Sequence, residues 1–143
     1  MQVLIQNRQA RHKFTPLEEF VAGLVLTGPE VKMIRLKRGN LAGAHIRIIN
    51  REAFLINAQI PPYPFARQEE YDPSQMRKLL LSKKELLLLD QAQTTKGLAL
   101  IPFELFLSGN RIKLRLAICK AKLAKDRREE IKKRDLDRES RAR

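Results

Sequence analysis

Cysteine and histidine are scarce in this sequence. Cys119 is the only cysteine, and the two histidines, His12 and His45, lie far apart along the chain. A lone cysteine cannot form an internal disulfide or a cysteine-based zinc cluster, and it agrees with a reducing compartment. Two separated histidines with no neighbouring ligands argue against a metal site. We therefore expect neither a metal nor a cofactor.

The sequence also lacks the motifs of the common enzyme classes. It contains no Walker phosphate loop, nucleophile elbow, HExxH pair, CxxC pair or dinucleotide-binding glycine loop. A nucleophile and its base would have to come from Cys119 and one of the two histidines. The acids Glu69, Glu70 and Asp72 are explained as solvated carboxylates beside basic side chains. We therefore expect a binding protein with no catalytic residues.

Long hydrophobic runs are missing as well. No apolar stretch approaches the roughly 18 residues of a membrane span, and the apolar run 3–5 before Arg8 is too short for the core of a signal peptide. We expect a soluble, cytosolic protein without a membrane partner. A length of 143 residues suits one domain with an appendage.

Positive charge is abundant, with a formal net charge of +13. Residues 120–143 carry eleven Lys and Arg against six Asp and Glu, so they hold five of these charges and residues 1–119 hold eight. Such a surplus attracts nucleic acid or another anionic surface. We expect a domain over 1–119 and a basic tail over 120–143.

The tail has the composition of a latent helix. Opposite charges recur four residues apart, as in Glu129 and Lys133, and helix formers are frequent. Its only large apolar residues, Leu123, Ile131 and Leu136, are too few to bury a helix face against a core. The tail is expected to be disordered when free and to form a helix against a polyanion, although a solvated helix or frayed terminus is the ordinary alternative.

The hydrophobic pattern predicts strands over 20–26, 46–49, 53–56, 98–107 and 111–120. Three helices are predicted: one begins at a Thr27/Glu30 capping box and ends near Gly39, one follows Asp72, and one runs from Ser82 to about 92. Turn-linked strands without strand–helix alternation favour a small antiparallel barrel or curled sheet over a parallel α/β sheet.

Two basic stretches of the first 119 residues are candidates for nucleic-acid contact. The 7–12 segment, NRQARH, offers several groups that can hold phosphates or base edges. On the last strand, Arg111, Lys113 and Arg115 alternate with apolar residues, which puts a row of cations on one side of a sheet. The ordinary alternative for this row is the solvated face of an antiparallel sheet.

Several motifs in order resemble the SmpB family, the small protein partners of transfer-messenger RNA (tmRNA) in bacterial ribosome rescue. They are NRQARH at 7–12, GLVLTGPEVKMIR at 23–35, GNL at 39–41, DP at 72–73 with RKLLL at 77–81, KGL at 96–98, and DRRE at 126–129 followed by IK at 131–132. The resemblance implies a mainly β fold with some α: an OB-fold-type small antiparallel β-barrel with about three flanking helices and a basic, disordered C-terminal tail.

The resemblance also implies a function. The barrel would bind the tRNA-like domain of tmRNA and deliver it to the A site of stalled ribosomes for trans-translation. The tail would enter the decoding centre and the vacant mRNA channel as a helix, and elongation factor Tu would be part of the delivery complex. The implied tmRNA-binding residues are Asn7, Arg11, His12, Leu80 and Lys113. The implied ribosome-contacting residues of the tail are Lys120, Lys122, Asp126, Arg127, Arg128, Ile131 and Lys132.

The chain departs from the family pattern at Val21, where an acid is common, and at Gln75, where an arginine is expected. Further departures are Ala121, Leu123 and Lys125 in the basic run. Two other hypotheses share the same basic surface. One is a structural rRNA-binding ribosomal protein, and the other is an RNA-processing enzyme.

Overall fold

The computed structural model describes residues 1–66 and 70–122, so the predictions for Glu69 and for residues 123–143 lie outside the described residues. The elements are β1 (Gln2–Gln6), α1 (Arg8–Lys13), β2 (Phe14–Leu24), α2 (Gly28–Arg35), β3 (His45–Ile49), β4 (Glu52–Ile56), β5 (Arg77–Leu80), α3 (Lys83–Gln93), β6 (Leu98–Ser108) and β7 (Arg111–Ala121). Among the described residues, no helix is long and apolar enough to cross a membrane.

The seven strands form one antiparallel sheet in the order β1-β6-β7-β2-β5-β4-β3. The prediction of a mainly β, antiparallel fold with three helices is confirmed. Within the described residues, the end strands β1 and β3 are not paired with each other, so the sheet is not closed. β3 nevertheless packs near β6, which shows that the sheet curls around its core.

Short-range sequence signals correctly located several elements. Thr27 with Glu30 and Ser82 with Glu85 form complete capping boxes at the starts of α2 and α3. The β3–β4 hairpin turns at Asn50 and Arg51, whose φ angles of 49° and 65° are both left-handed, as a two-residue hairpin turn of the primed kind requires.

The helix predicted after Asp72 is wrong, since that stretch ends in strand β5. Arg77 and Leu79 are buried while Lys78 and Leu80 are exposed, which is the alternation of a strand. β5 lies between β4 and β2, and the sheet supplies the backbone partners that a helix would have supplied internally. Tertiary pairing therefore overrides the local helical spacing of the leucines.

Other boundaries also moved. Helix α2 ends at Arg35 rather than near Gly39, and Lys37 rather than the glycine takes the left-handed conformation with φ of 60°. Gly39 allows a close approach instead, because a Cβ there would lie 2.7 Å from Ile5 Cδ1 and the end of that side chain would have to move. Strand β1 and the short helix α1 had no periodic signal long enough to predict them.

The core has two parts on opposite faces of β7. Ile112, Leu114, Leu116 and Ile118 face the main core, while Ala117 and Cys119 point to the opposite face, called the outer face below. Helix α1 covers one end of the outer face through Ala10. Burial and then the negative charge of Glu19 raise the pKa of the Cys119 thiol to about 12, so this cysteine is an apolar core residue and not a nucleophile.

A buried ion pair links α2 to β5. Arg77 Nε donates to Glu30 Oε2 at 2.8 Å, and both side chains are almost fully buried. The remaining Arg77 donors bind the carbonyls of Ala58 at 2.7 Å and Pro73 at 2.9 Å. A buried charge is tolerated only when it is paired and its donors are used, and this guanidinium meets both conditions.

Tyr71 completes the network. Its hydroxyl accepts a hydrogen bond from Arg77 Nη2 at 2.9 Å and lies 3.0 Å from Glu30 Oε2 and 2.8 Å from the Ile60 carbonyl oxygen. Burial, followed by the neighbouring Glu30 carboxylate, raises the pKa of Tyr71 to about 12. Gln75, the residue that stands in place of an expected arginine, donates to Glu30 Oε2 at 3.3 Å.

The Glu30 carboxyl stays ionised in this setting. Burial alone would raise its pKa, but the Thr27 backbone N–H and the Arg77 guanidinium hold the pKa below its usual value. The folded state therefore binds fewer protons at this group than the unfolded chain does in mildly acidic solution.

Replacing Arg77 with Met is expected to cost about 3–5 kcal/mol in the free energy of unfolding, because it leaves the Glu30 charge buried without its partner. Urea unfolding at pH 7 measures this cost. Lys78→Met is the matched control, since the neighbouring Lys78–Glu52 pair is half exposed and worth at most about 1 kcal/mol. If the two variants lost the same free energy of unfolding, the buried pair would contribute no more than the exposed one.

The contribution of Glu30 is also expected to depend on pH. With a folded pKa below the ordinary glutamate value of 4.5, its stabilisation is fully present above about pH 4.5 and is lost as the pH falls through the folded pKa. Glu30→Gln should therefore destabilise the protein strongly at pH 7 and much less at pH 3. Unfolding curves of both proteins at the two pH values measure this, and a constant difference would contradict the depressed pKa.

Candidate RNA-binding surface

One row of residues crosses five strands on the outer face. Val3 of β1 lies opposite Phe106 of β6, which lies opposite Lys113 of β7. Lys113 lies opposite Gly23 of β2, which lies opposite Leu80 of β5. Sheet register thus brings Leu80 and Lys113, two predicted RNA-binding residues, to either side of one glycine.

The glycine permits this close arrangement. A Cβ at Gly23 would lie 3.2 Å from Leu80 Cβ, tighter than most contacts of this kind. Leu80 remains 54% exposed although it is a leucine inside a strand. The same residues line a shallow cavity together with Arg111. The result is an open surface on which an apolar side chain and a cation lie side by side.

The adjacent row carries a charge network. Arg115 Nε donates to Glu104 Oε1 at 2.8 Å, Arg115 Nη1 lies 3.7 Å from Glu19 Oε2, and its guanidinium lies 5.3 Å from the centroid of the Phe106 ring. Glu104 also lies 3.8 Å from Arg11 Nη2. Val21, opposite Arg115, is 44% exposed and leaves this row without the acid that the sequence pattern of the family places there.

The arm at 7–12 is a short helix with a fixed first residue. Asn7 is 3% exposed, and its Nδ2 donates to the carbonyls of Pro102 at 2.8 Å and Leu41 at 3.2 Å. Its Oδ1 accepts from Ala10 N at 3.1 Å and caps α1. The hydrogen bonds of the Asn7 side chain are therefore made within the protein, and they hold the arm in position.

The rest of the arm meets the end of β7. Arg11 and His12 are exposed near the end of α1. Lys122 Nζ donates to the Arg11 carbonyl at 2.9 Å, and Lys122 N donates to the Lys13 carbonyl at 2.8 Å. Lys120 is exposed within β7, opposite Thr15 of β2. The two lysines predicted as the first tail contacts thus lie on the body of the domain, beside the arm.

The outer face therefore connects two groups of predicted residues. Leu80 and Lys113 lie in one row, while Arg11 and His12 lie on the helix that covers the other end of the same face. The Arg115–Glu104–Arg11 chain of contacts joins them. The remaining predicted tail residues, Asp126, Arg127, Arg128, Ile131 and Lys132, lie outside the described residues.

The alternation predicted for the last strand is confirmed, since Ile112, Leu114 and Leu116 are buried while Lys113 and Arg115 are partly exposed. The pairing of Glu104 with Arg11 and Arg115 was not predicted from the sequence. The signal was present, because Glu104 is the only charged residue in the apolar strand β6. What the sequence did not show was its partners, which come from α1 and β7.

The chemistry of this surface suits a polyanion. Its exposed donors are ammonium and guanidinium groups, which neutralise phosphates, and Leu80 offers apolar contact to a sugar or base. Within residues 1–66 and 70–122, no group of three or more His, Cys, Asp and Glu side chains could hold a metal ion.

Comparisons with known proteins agree on one family. The family model described as "SmpB protein" matches residues 4–143. The SsrA-binding proteins of Levilactobacillus brevis and Carboxydothermus hydrogenoformans are each 42% identical over 137 residues, covering 96% of this chain and 87% and 92% of the relatives. A solved structure described as "tmRNA-SmpB: a journey to the center of the bacterial ribosome" matches with a TM-score of 0.72 and 36% identity, covering 87% of both chains. The chain thus belongs to the SmpB protein family.

Proposed function

We propose that this protein is an SsrA-binding protein, which binds the tRNA-like domain of tmRNA and delivers it to the A site of stalled ribosomes for trans-translation. The observation that carries this function is membership of the SmpB family over nearly the whole chain. The outer face adds a physical basis, because register places an exposed leucine and a lysine together beside a charged arm.

The row around Gly23 is proposed to contact the RNA backbone and an unstacked base. Lys113 would neutralise a phosphate. Leu80 would pack against a sugar or base, for which there is room because Gly23 beside it has no side chain. Shape rather than base sequence would be recognised, because the cations of this surface suit phosphates and Leu80 can pack against a sugar or base of any sequence.

The arm is proposed to grip the same RNA at the other end of the face. Arg11 and His12 would make the contacts, and Asn7 would act as a positioning residue that fixes the start of α1. Glu104 lies within 4 Å of both Arg11 and Arg115, so it limits the directions in which these two guanidinium groups can point.

The body is proposed to be an OB-fold-type barrel over 1–119, followed by the basic tail over 120–143. Lys120 and Lys122 would contact the ribosome from the edge of the body, since β7 runs to Ala121 and Lys122 is bonded to the arm. Asp126, Arg127 and Arg128 would meet the decoding centre, and Ile131 with Lys132 would lie in the vacant mRNA channel. Charge neutralisation along rRNA would supply most of the affinity of this segment.

The delivery complex is proposed to include elongation factor Tu, and the site of action is the bacterial cytoplasm. No chemical step is assigned to the protein, whose part is to hold and present RNA. A structural ribosomal protein is the alternative, and it would associate constantly with one subunit in growing cells rather than with stalled ribosomes.

Lys113→Ala is expected to weaken binding to the tRNA-like domain of tmRNA about tenfold at low salt and to lower the salt slope by about one, as expected for one lost phosphate contact. Equilibrium binding across a salt series, with an unrelated structured RNA of equal length alongside, measures both effects. The control is Lys84→Ala, an exposed lysine on α3. If the wild-type protein bound both RNAs equally and lost both in salt, the proposed recognition of tmRNA would fail.

Deleting residues 125–143 is expected to leave stability and most of the tmRNA affinity intact, because the outer face is built from residues 3–122. The same deletion should abolish tagging of nascent chains on messages without a stop codon, since the proposed ribosome contacts are removed. Tagging in a reconstituted translation system, with binding measured in parallel, separates the two roles. Full tagging by the truncated protein would refute the role of the tail.

A further inference from the structure

A short turn after β4 presents an aromatic ring to solvent, away from the residues assigned to RNA so far. Ala66 N donates to the Tyr63 carbonyl at 3.1 Å, which closes a turn with Pro64 and Phe65 at its central positions. Pro64 fixes φ at the first of these positions. Phe65 is 87% exposed, the highest value among the large hydrophobic side chains in the described part of the chain.

The residues just before the turn are fixed by packing and by hydrogen bonds. Tyr63 packs partly against the main core, and its ring meets that of Phe65 edge to face, with centroids 5.5 Å apart and an interplanar angle of 67°. Upstream, Ile60 N donates to the Pro73 carbonyl at 3.0 Å, and the Tyr71 hydroxyl lies 2.8 Å from the Ile60 carbonyl oxygen. The backbone before Phe65 is therefore anchored, and the Phe65 ring contacts Tyr63 while most of its surface is open to solvent.

A cation of α2 lies beside Tyr63, whose ring contacts that of Phe65. Lys32 Nζ lies 5.2 Å from the centroid of the Tyr63 ring. Arg35 is three residues further along α2 on the same side and is exposed, as are Lys37 and Arg38 just beyond the helix. Residues 31–38 contain no acid, and within the described residues none of these four cations forms an ion pair. Among the described residues, no side-chain carboxylate pairs with these cations, and such positive charge attracts an external anion.

An exposed aromatic ring beside unneutralised cations matches the chemistry of an unpaired nucleotide. The ring offers a stacking surface to a base of any sequence, and the cations neutralise the phosphates on either side. A protein partner would favour a contiguous apolar patch with fewer charges at its centre, whereas here a single exposed ring lies near the exposed cations Lys32 and Arg35 of α2.

We propose that Phe65 stacks on an unpaired RNA base while Lys32 and Arg35 neutralise the neighbouring phosphates, a second RNA contact separate from the Leu80–Lys113 row. The inference rests on the proposed function only in that the RNA is one the protein meets during rescue. The base belongs either to tmRNA or to rRNA of the stalled ribosome, and the chemistry of the site is the same for both.

The chain contains no tryptophan, so Phe65→Trp creates a single fluorescent reporter at the turn. Stacking on a base should quench its emission when the tRNA-like domain of tmRNA is added. Leu87→Trp is the matched control, because Leu87 is 59% exposed on α3 and should not be quenched. For ribosomes stalled on a message without a stop codon, Phe65→p-benzoylphenylalanine allows photocrosslinking, and a crosslink to an rRNA nucleotide is the supporting result.

Phe65→Ala should weaken binding about tenfold to whichever RNA gives the quench or crosslink, and Phe65→Tyr should restore most of it. Lys32→Gln should lower the salt dependence of the same interaction. The inference is overturned if the tryptophan reporter is not quenched while a mobility shift shows bound tmRNA, and the ribosome gives no crosslink or crosslinks only to protein. Failure of the proposed function has a different signature, since the wild-type protein would then show no preference for tmRNA.

Discussion

The buried pair of Glu30 and Arg77 is the constraint on which both of the surfaces proposed to bind RNA depend. Arg77 is the first residue of β5, and Leu80 on the same short strand is exposed on the outer face. Glu30 lies two residues before Lys32 in α2, and Tyr71 connects the pair to the segment that ends at Ile60. One desolvated ion pair therefore fixes the relative positions of strand β5, the basic helix α2 and the aromatic turn.

Such a pair selects one arrangement of the surrounding segments more than it raises the free energy of unfolding. An apolar pair of similar volume could pack in the same space without the cost of desolvating two charges, but it would not use the carbonyls of Ala58 and Pro73. Those two carbonyls belong to segments with no regular structure of their own. The guanidinium thus organises backbone that neither helix nor sheet could satisfy, which explains why a charged residue begins a strand that is otherwise apolar inside.

The parts of the fold that could be predicted are those whose signals are local. Capping boxes at Thr27 and Ser82 need only four consecutive residues, and the alternation of β7 needs only its own side chains. Strand β5 could not be predicted in this way, because its backbone partners lie in β2 and β4 and its first side chain is paired with a distant helix. The leucines at 79–81 fit a helix until those partners are known.

The same distinction applies to the candidate site and to its chemistry. The cation row of β7 followed from alternation. The burial of Asn7, by contrast, depends on a segment more than thirty residues away, and the attachment of Lys122 to α1 depends on one more than a hundred residues away. Cys119, fully buried with its pKa raised to about 12, has a practical consequence. Because that thiol is shielded from reagents in the folded protein, a second cysteine introduced at the surface could be labelled selectively without removing the natural one.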